Sequence, residues 1–148
     1  MISRIPKNIL SVLERAGRLA ETINIECYTV GGFVRDLILD VPSKDVDIMV
    51  IGDGLDFARK LGKELGVPDI VEYGEFGTAL IPYGEFLIEV ASARSETYES
   101  DSRKPKVIYT DLKGDLSRRD FTVNAMAINL LPEHFGELVD EYGGIQDI

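Results

Sequence analysis

Two aspartates in the segment DVDIMVI, Asp45 and Asp47, have a spacing that suits metal binding. The segment is otherwise apolar, which predicts a strand, and because side chains alternate along a strand both carboxylates project from one face. Adjacent carboxylates repel each other in a partly dry site unless a cation shares them, and Mg²⁺ prefers such oxygen ligands. In nucleotidyl transfer, two metal ions activate the attacking hydroxyl and neutralise the triphosphate. The pair therefore predicts a Mg²⁺ site that supports nucleotidyl transfer.

A glycine pair precedes these acids, in the segment YTVGGFVRDLIL. The pattern predicts a strand that ends at Val30 and a short helix that begins at Phe33, so that Gly31 and Gly32 form the turn between them. Backbone N–H groups and the positive end of a helix dipole bind phosphate, and glycines let it approach closely. Arg35 would add a fixed positive charge. Each motif alone is common in ordinary turns and strand edges, but their order and spacing favour a nucleotide site.

A second polar cluster lies in LSRRDFTVNAMAINL, where Arg118, Arg119, Asp120 and Asn124 accompany an apolar run. We predict that a helix begins near Phe121, with the arginine pair at its start. Cations are unfavourable there, so the arginines either face an anion such as a triphosphate or are pinned by buried acids. We expect Asp120 to cap the helix or form an ion pair, and Asn124 to brace the loop.

The elements that must position these residues follow from the periodicity of apolar side chains. We predict helices at about 7–23, 33–39 and 55–65 and near Leu112 and Phe121, and strands at 26–30 and 45–51 and near Asp69, Thr78 and Glu85. The segment GEFGTALIPYGEFLIEV has a Tyr-Gly turn between two apolar runs, which predicts a β-hairpin. This order predicts an α+β domain whose mixed sheet is flanked by helices, with the acid strand beside the glycine turn.

Four blocks, GGFVRD, KDVDIMV, RRDFTVNAMA and GELVDEYGGIQD, occur in this order from about Tyr28 to the C-terminus. The chain thereby resembles the head domain of class II tRNA nucleotidyltransferases, the CCA-adding enzymes, and of the related bacterial poly(A) polymerases. The resemblance implies a polymerase-beta-like nucleotidyltransferase head domain over residues 1–148. It also implies transfer of CMP or AMP from CTP or ATP to the 3′ end of tRNA by a two-metal mechanism, with Mg²⁺ as cofactor.

The resemblance assigns roles to individual residues. Asp45 and Asp47 match the family's metal-binding catalytic carboxylates. Gly32 and Arg35 match positions that contact the nucleotide, and Arg119 matches the arginine that holds the triphosphate. These assignments extend the chemistry that the acid pair and the glycine turn already suggest.

Two further regions are open to two interpretations. Glu89, in FLIEVASAR, lies where related enzymes place a third catalytic carboxylate that acts as base or metal ligand, or it is an ordinary glutamate on an edge strand. The polar segment RSETYESDSRKPKV predicts an exposed loop, which in the resembled family is flexible and near the active site. Its basic residues Arg94, Arg103, Lys104 and Lys106 either offer charge to nucleotide or RNA, or belong to a solvated loop.

The chain departs from the family pattern at two positions and in its extent. Asp40 stands where a glycine usually ends the short helix, and Glu141 stands where the family's VDPYGG carries proline. In the full-length family a neck domain follows, with a Glu-Asp-x-x-Arg motif that reads the base, and helical body and tail regions grip the tRNA. We therefore expect an isolated head domain, weakly active or inactive alone, with its main tRNA contacts absent.

Composition is consistent with one folded catalytic module. The 148 residues are 45% hydrophobic, which suffices for a core, and no membrane-length apolar run or secretory signal occurs, so we expect a cytoplasmic protein with no membrane partner. Cys27 is the single cysteine and is expected in the core, and the single histidine, His134, excludes a histidine-based metal site. The net charge of −10 argues against independent RNA binding, and we expect no DNA partner.

Two alternative functions stay open. Within the same class, the chain could come from a poly(A) polymerase or from an enzyme that adds only the C or only the A of the CCA end. In a different class, it could be a nucleotide-binding module without transferase activity. The intact acid pair argues against this second alternative, since binding alone does not need two repelling carboxylates, whereas the absent neck argues for it.

Overall fold

A computed structural model of the chain describes residues 2–98 and 105–148. The helices in these ranges are α1 (Lys7–Thr22), α2 (Gly32–Leu39), α3 (Gly54–Glu64), α4 (Leu112–Ser117) and α5 (Gly144–Asp147). The strands are β1 (Cys27–Val30), β2 (Asp45–Val50), β3 (Val71–Tyr73), β4 (Thr78–Tyr83), β5 (Phe86–Ser92), β6 (Arg94–Tyr98), β7 (Pro105–Tyr109), β8 (Ala127–Asn129) and β9 (Leu138–Val139). None of the helices described combines the length and apolar character that crossing a membrane requires.

Seven of these strands form one mixed sheet in the order β3-β4-β5-β2-β1-β8-β9. Strands β2 and β5 run parallel, and the other neighbouring pairs run antiparallel. The remaining strands, β6 and β7, pair with each other in a separate antiparallel hairpin. Strand β2 therefore lies in the interior of the sheet, where hydrogen bonds to both neighbours hold its backbone.

The main core lies between one face of this sheet and helices α1 and α3. Alternate residues of β2, namely Val46, Ile48 and Val50, are at most 1% exposed and belong to this core. Helix α1 contributes one apolar stripe, as its periodicity predicts. Its buried apolar members are Ile9, Val12, Leu13, Ala16 and Ala20. Because β2 buries its even-numbered residues here, Asp45 and Asp47 must lie on the opposite face.

A smaller cluster covers part of that opposite face. Leu116 of α4 packs there with Tyr28 and Val30 of β1 and Met49 of β2, and each of these residues is at most 5% exposed. Helix α4 thus covers the β1 side of the face and leaves the region around Asp47 open. The acid strand is therefore supported by core on one side and accessible on the other.

The predicted α+β domain with a mixed sheet is confirmed. Helices α1, α2 and α3 begin and end within a residue of their predicted bounds, and Cys27 is fully buried, as expected. The predicted hairpin is formed by β4 and β5, whose tight turn contains Gly84 at a φ of 60°. A positive φ is the backbone conformation that such two-residue turns require and that glycine adopts without steric cost.

Two predicted features are wrong. The helix expected near Phe121 is absent: Thr122–Asn124 form a short 3₁₀ turn, and Ala127–Asn129 form strand β8, which pairs with β1. An apolar run as short as AMAIN fits either a helix or a strand, and here the pairing offered by β1 decides. Much of the expected exposed loop also forms paired strands, β6 and β7. Arg103 and Lys104 of that segment lie outside the described residues.

Candidate active site

The candidate site begins with acids on the open face of β2 and β5. Asp47 and Glu89 are direct partners across this parallel pair, and Asp45 lies on the same face two residues before Asp47. Asp45 and Glu89 are exposed, whereas Asp47 is partly buried. Glu89 is not on an edge strand, because β5 lies between β4 and β2. The structure thus brings all three predicted carboxylates to one part of one sheet face.

A buried hydroxyl fixes the backbone at Asp47. Thr29 on β1 is 0% exposed, and its Oγ1 donates a hydrogen bond of 2.7 Å to the carbonyl oxygen of Asp47. This bond holds the strand at the acid itself, in addition to the regular pairing of β1 with β2. Thr29 is not predicted from the sequence, since a threonine in an apolar strand gives no sign of which carbonyl it contacts.

Asp47 is the electrostatically strained acid of the group. Its pKa is raised from 3.8 to about 6, chiefly because burial disfavours the charged form. The negative charges of Glu89 and Asp45 raise this pKa further, whereas the guanidinium of Arg119 lowers it. A positive charge near Asp47 would therefore be stabilised. Arg119 supplies one such charge, but the pKa of Asp47 stays raised in its presence.

This donor set fits a hard divalent cation such as Mg²⁺. Carboxylate oxygens on one face are the ligands that Mg²⁺ prefers. Burial chiefly raises the pKa of Asp47, and the charges of Glu89 and Asp45 raise it further, so a cation beside these acids would favour the charged form of Asp47. Among the side chains that the structure describes, no three acids, histidines or cysteines already stand close enough together to enclose one ion. Asp45 and Asp47 could hold a cation together with water and substrate oxygens, as Mg²⁺ sites commonly do.

The glycine turn lies against the acids. Gly31 has a φ of 71° and is the single residue between the end of β1 at Val30 and the start of α2 at Gly32. A side-chain carbon placed at Gly31 would lie 3.2 Å from Nη1 of Arg119 and 3.4 Å from Oδ2 of Asp47. The residue thus needs glycine for its backbone conformation, and its lack of a side chain leaves space between an acid and an arginine.

Arg35 lies on the α2 side of the same turn. Its Nη2 is 3.3 Å from the position that a side-chain carbon of Gly32 would occupy. Nη1 of Arg35 donates to Oδ1 of Asn124 at 2.9 Å, and its Nε pairs with Asp36 at 3.0 Å. Asn124, which was predicted to brace the loop, therefore also holds this arginine. Two polar partners hold the guanidinium beside the N-terminus of α2, where a phosphate would be favoured.

The arginine pair Arg118 and Arg119 does not lie at the start of a helix, where it was predicted. Arg118 ends helix α4 and Arg119 follows it, so the pair lies at a helix C-terminus, where cations are favourable, and not at a helix start. Both side chains contact buried Asp115: Nη2 of Arg119 lies 3.0 Å from Oδ1, and Nη2 of Arg118 lies 3.4 Å from Oδ2. The predicted capping by Asp120 is wrong, because that residue lies exposed in a bend before the 3₁₀ turn.

Asp115 was not predicted as a site residue, although the sequence contains a spacing that indicates its contacts. In GDLSRRD an acid precedes two arginines by three and four residues, the spacing at which side chains meet on one helix face. Pinning of the arginines by a buried acid was one of the two alternatives left open. What the spacing alone could not indicate is that the acid is buried.

An open cavity of about 220 Å³ joins the acids to these arginines. Its lining residues are Val30, Asp47, Ile48, Met49, Glu89, Ala91, Arg94, Asp115, Arg118 and Arg119. Of the residues given roles from the sequence, Asp47, Glu89 and Arg119 line it directly, and so do Arg94 and Arg118, which were considered as possible anion contacts. Asp45 lies next to it on β2, and Gly32 and Arg35 lie beyond Gly31. The arrangement places carboxylates for a cation and arginines for an anion around one opening.

Comparison with known proteins gives a family match. The chain matches the family described as the poly A polymerase head domain over residues 27–148. It is 38% identical over 149 residues to the A-adding tRNA nucleotidyltransferase of Geobacter sulfurreducens. That alignment covers 100% of the chain and 17% of the relative, so the chain spans only a small part of the curated protein.

Solved structures of similar proteins match the whole described fold. An apo form of a CCA-adding enzyme has a TM-score of 0.88 and 41% identity, with 99% of the chain and 34% of that protein covered. A CCA-adding enzyme in complex with ATP has a TM-score of 0.82 and 37% identity, with 99% of the chain and 33% of that protein covered. The mixed sheet and its helices therefore have the architecture of the corresponding third of these structures.

Proposed function

The chain belongs to the poly A polymerase head domain family, and from that membership we propose that it is the catalytic head of a Mg²⁺-dependent tRNA nucleotidyltransferase. It would bind CTP or ATP and transfer CMP or AMP to the 3′ end of a tRNA. The observation that carries this proposal is the arrangement around Gly31, where Arg119 Nη1 and Asp47 Oδ2 lie 3.2 Å and 3.4 Å from the position that a side-chain carbon would occupy. The triphosphate of a nucleotide is negative and its Mg²⁺ ion is positive. This site offers an arginine to the triphosphate and carboxylates to the Mg²⁺ ion.

The proposed division of labour follows from the positions of the side chains. Asp45 and Asp47 would hold Mg²⁺, which when bound activates the attacking hydroxyl and neutralises the leaving pyrophosphate. The backbone of the Gly31–Gly32 turn, the N-terminus of α2 and Arg35 would orient the triphosphate from one side. Arg119 would bind it from the other side, as a fixed and permanently charged donor.

Glu89 would assist Asp47 as a third carboxylate. The two residues are partners across β2 and β5, and the charge of Glu89 already raises the pKa of Asp47. Glu89 would either accept the proton of the attacking hydroxyl or complete the metal site. Its exposed carboxylate leaves room for both, and an exchange for glutamine separates them, because glutamine remains a weak metal ligand but does not accept a proton.

The relatives favour one narrower alternative, an enzyme that adds only the A of the CCA end. The relative with 38% identity is named an A-adding enzyme, whereas the solved structures are those of CCA-adding enzymes. Product sizing on tRNAs that end before CCA, after the first C and after CC distinguishes the two. Extension of the CC-ending tRNA alone would support A addition, and extension of all three would support CCA addition.

Cytoplasmic location stays a prediction of the sequence.

Calorimetric titration with ATP and CTP, with and without Mg²⁺, tests the nucleotide site in this chain. We expect binding that requires Mg²⁺ and is lost in Asp45→Ala/Asp47→Ala. Asp56→Ala is the matched control, because Asp56 is a half-exposed acid that pairs with Lys60 on the same helix and does not line the cavity. Binding that is equally strong in the double variant, or that occurs without Mg²⁺, would contradict the proposed metal site. Absence of binding in the wild-type chain would contradict a self-contained nucleotide site.

A further inference from the structure

Asp115 is a charged side chain in the interior of the protein. Its side chain is 2% exposed, and burial of a carboxylate costs several kcal/mol unless donors compensate it. Four donor groups from three arginine residues compensate it. Oδ1 accepts from Nη2 of Arg119 at 3.0 Å and from its Nε at 3.3 Å. Oδ2 accepts from the backbone N–H of Arg94 at 2.9 Å and from Nη2 of Arg118 at 3.4 Å.

The two oxygens of Asp115 serve different parts of the molecule. Oδ2 and Arg118 hold the start of strand β6: Arg118 donates its Nε to the carbonyl oxygen of Arg94 at 2.8 Å, while the N–H of Arg94 reaches Oδ2. Oδ1 instead accepts from Nε and Nη2 of Arg119. One half of the carboxylate thus anchors the β6–β7 hairpin, and the other half orients an arginine.

This contact determines which end of Arg119 faces the site. Its Nε and Nη2 are occupied by Asp115, and its Nη1 is the atom that lies 3.2 Å from the vacant side-chain position of Gly31. The same position lies 3.4 Å from Oδ2 of Asp47. Without Asp115, the long side chain of Arg119 would regain its rotamer freedom and could form an ion pair with the acids it now only borders.

We propose that Asp115 is a positioning residue for nucleotide binding, which holds the guanidinium of Arg119 at the acids without contacting the substrate itself. This inference rests on the proposed function, because Arg119 is expected to bind the triphosphate. Asp115 thereby keeps Arg119 available for the nucleotide and out of a direct pair with Asp47. The positive side of the site depends on one buried negative charge.

A double-mutant cycle with Arg119→Ala tests whether Asp115 acts through that arginine. We expect Asp115→Asn to weaken binding of ATP with Mg²⁺ about tenfold, since asparagine cannot accept with the same strength from a guanidinium. In the Arg119→Ala background the same change should weaken binding less than about twofold, because the residue it positions is already gone. Independent, multiplicative losses in the double variant would overturn the inference, and so would unchanged ATP affinity in Asp115→Asn.

A matched control lies on the same helix. Asp111 is an exposed N-cap of α4 whose Oδ1 accepts from the backbone N–H of Gly114 at 2.9 Å, and it does not line the cavity. Asp111→Asn should leave ATP affinity within about twofold of wild type, since asparagine is an equally good N-cap. An equal loss in both variants would indicate that α4 matters only for the fold, which would overturn the inference. Wild-type chain that fails to bind ATP would overturn the proposed function first.

A measurement on the wild-type chain needs no folded variant of Asp115. In a ¹H–¹⁵N spectrum, the Nε–H of Arg119 should give a discrete, slowly exchanging signal, because it donates to a buried carboxylate. Arg18, which is exposed on α1, provides the comparison. Exchange of the Arg119 signal as fast as that of Arg18 would overturn the inference, since an arginine that is held by Asp115 cannot be freely solvated.

Discussion

The negative and positive sides of the candidate site are held by different means. The acids Asp45, Asp47 and Glu89 project from adjacent strands in the interior of the sheet, so backbone hydrogen bonds set their positions. Arg119 follows a helix of six residues and is held by a side chain, that of Asp115. The acids therefore do not need one another for their placement, whereas the arginine needs its partner.

This difference determines whether the loss of an acid's charge affects the stability of the fold. An acid whose position is set by the backbone and whose pKa is raised by burial can be neutralised without harm to the fold. A buried acid that compensates several donors cannot, because its loss leaves those donors with a neutral partner. The same substitution, aspartate to asparagine, should thus have opposite consequences for stability at Asp47 and at Asp115.

Asp47→Asn should produce the largest functional effect. We expect nucleotidyl transfer to fall by about 1,000-fold or more in a full-length enzyme that carries this head, since removal of one charge-stabilising group commonly slows an enzyme on this scale. At pH 7.5 without metal, the thermal midpoint of the variant chain should equal or exceed that of wild type. Transfer assays and thermal unfolding followed by circular dichroism measure the two expectations. Near-normal transfer would mean that Asp47 is not needed for the reaction, and a clearly lower midpoint would mean that the fold depends on its charge.

Asp115→Asn should have the largest effect on stability. We expect the free energy of unfolding to fall by about 2 to 4 kcal/mol, because a buried carboxylate that accepts from two arginines and a backbone N–H becomes neutral. Asp111→Asn on the same helix should cost less than about 0.5 kcal/mol. Urea unfolding of both variants measures the difference. If both variants are as stable as wild type, the arginine side does not depend on its buried acid.

The two regions also differ in how far the sequence predicts them. The acids obey a local rule, since residues two apart on a strand share a face, and the placement of Asp45 and Asp47 on one face of a strand was predicted correctly on that ground. The arginines were assigned to the wrong end of a helix, because the run that contains Ala127 was interpreted as helical. That run pairs with β1 through a long-range contact, Val30 with Ala127, which no local pattern contains. Burial of Asp115 likewise depends on tertiary packing.

The pH dependence of stability should identify Asp47 in the metal-free chain. The folded-state pKa of about 6 exceeds the ordinary 3.8, so between these values the folded protein holds a proton that the unfolded chain releases. The contribution of Asp47 to stability is therefore most favourable near pH 4 and is lost as the pH rises through 6.

Thermal midpoints measured from pH 4.5 to 7.5 in a chelator test this sign. The midpoint of wild type minus that of Asp47→Asn should decrease by about 2 to 5 °C as the pH rises, since the asparagine does not titrate. The variant cancels the titration of other groups that both proteins share. A constant difference, or one that increases with pH, would mean that the charge of Asp47 is already neutralised in the fold and that the acid side needs no cation.

The smallest effect concerns α2, whose N-terminus lies in the site and whose C-terminus does not. Asp40 ends this helix with a φ of 57°, where the resembled family usually has glycine. Asp40→Gly should raise the free energy of unfolding by up to about 1 kcal/mol, because glycine adopts this conformation without steric cost. Leu39→Gly, one residue earlier inside the helix, should lower it by a similar amount. Urea unfolding measures both.

Nucleotide affinity should not change in either variant, since the strain at Asp40 is separated from the acids and from Arg119 by the length of α2. A change in affinity would show that α2 transmits its C-terminal geometry to the glycine turn, and that the negative and positive sides are coupled through the helix between them.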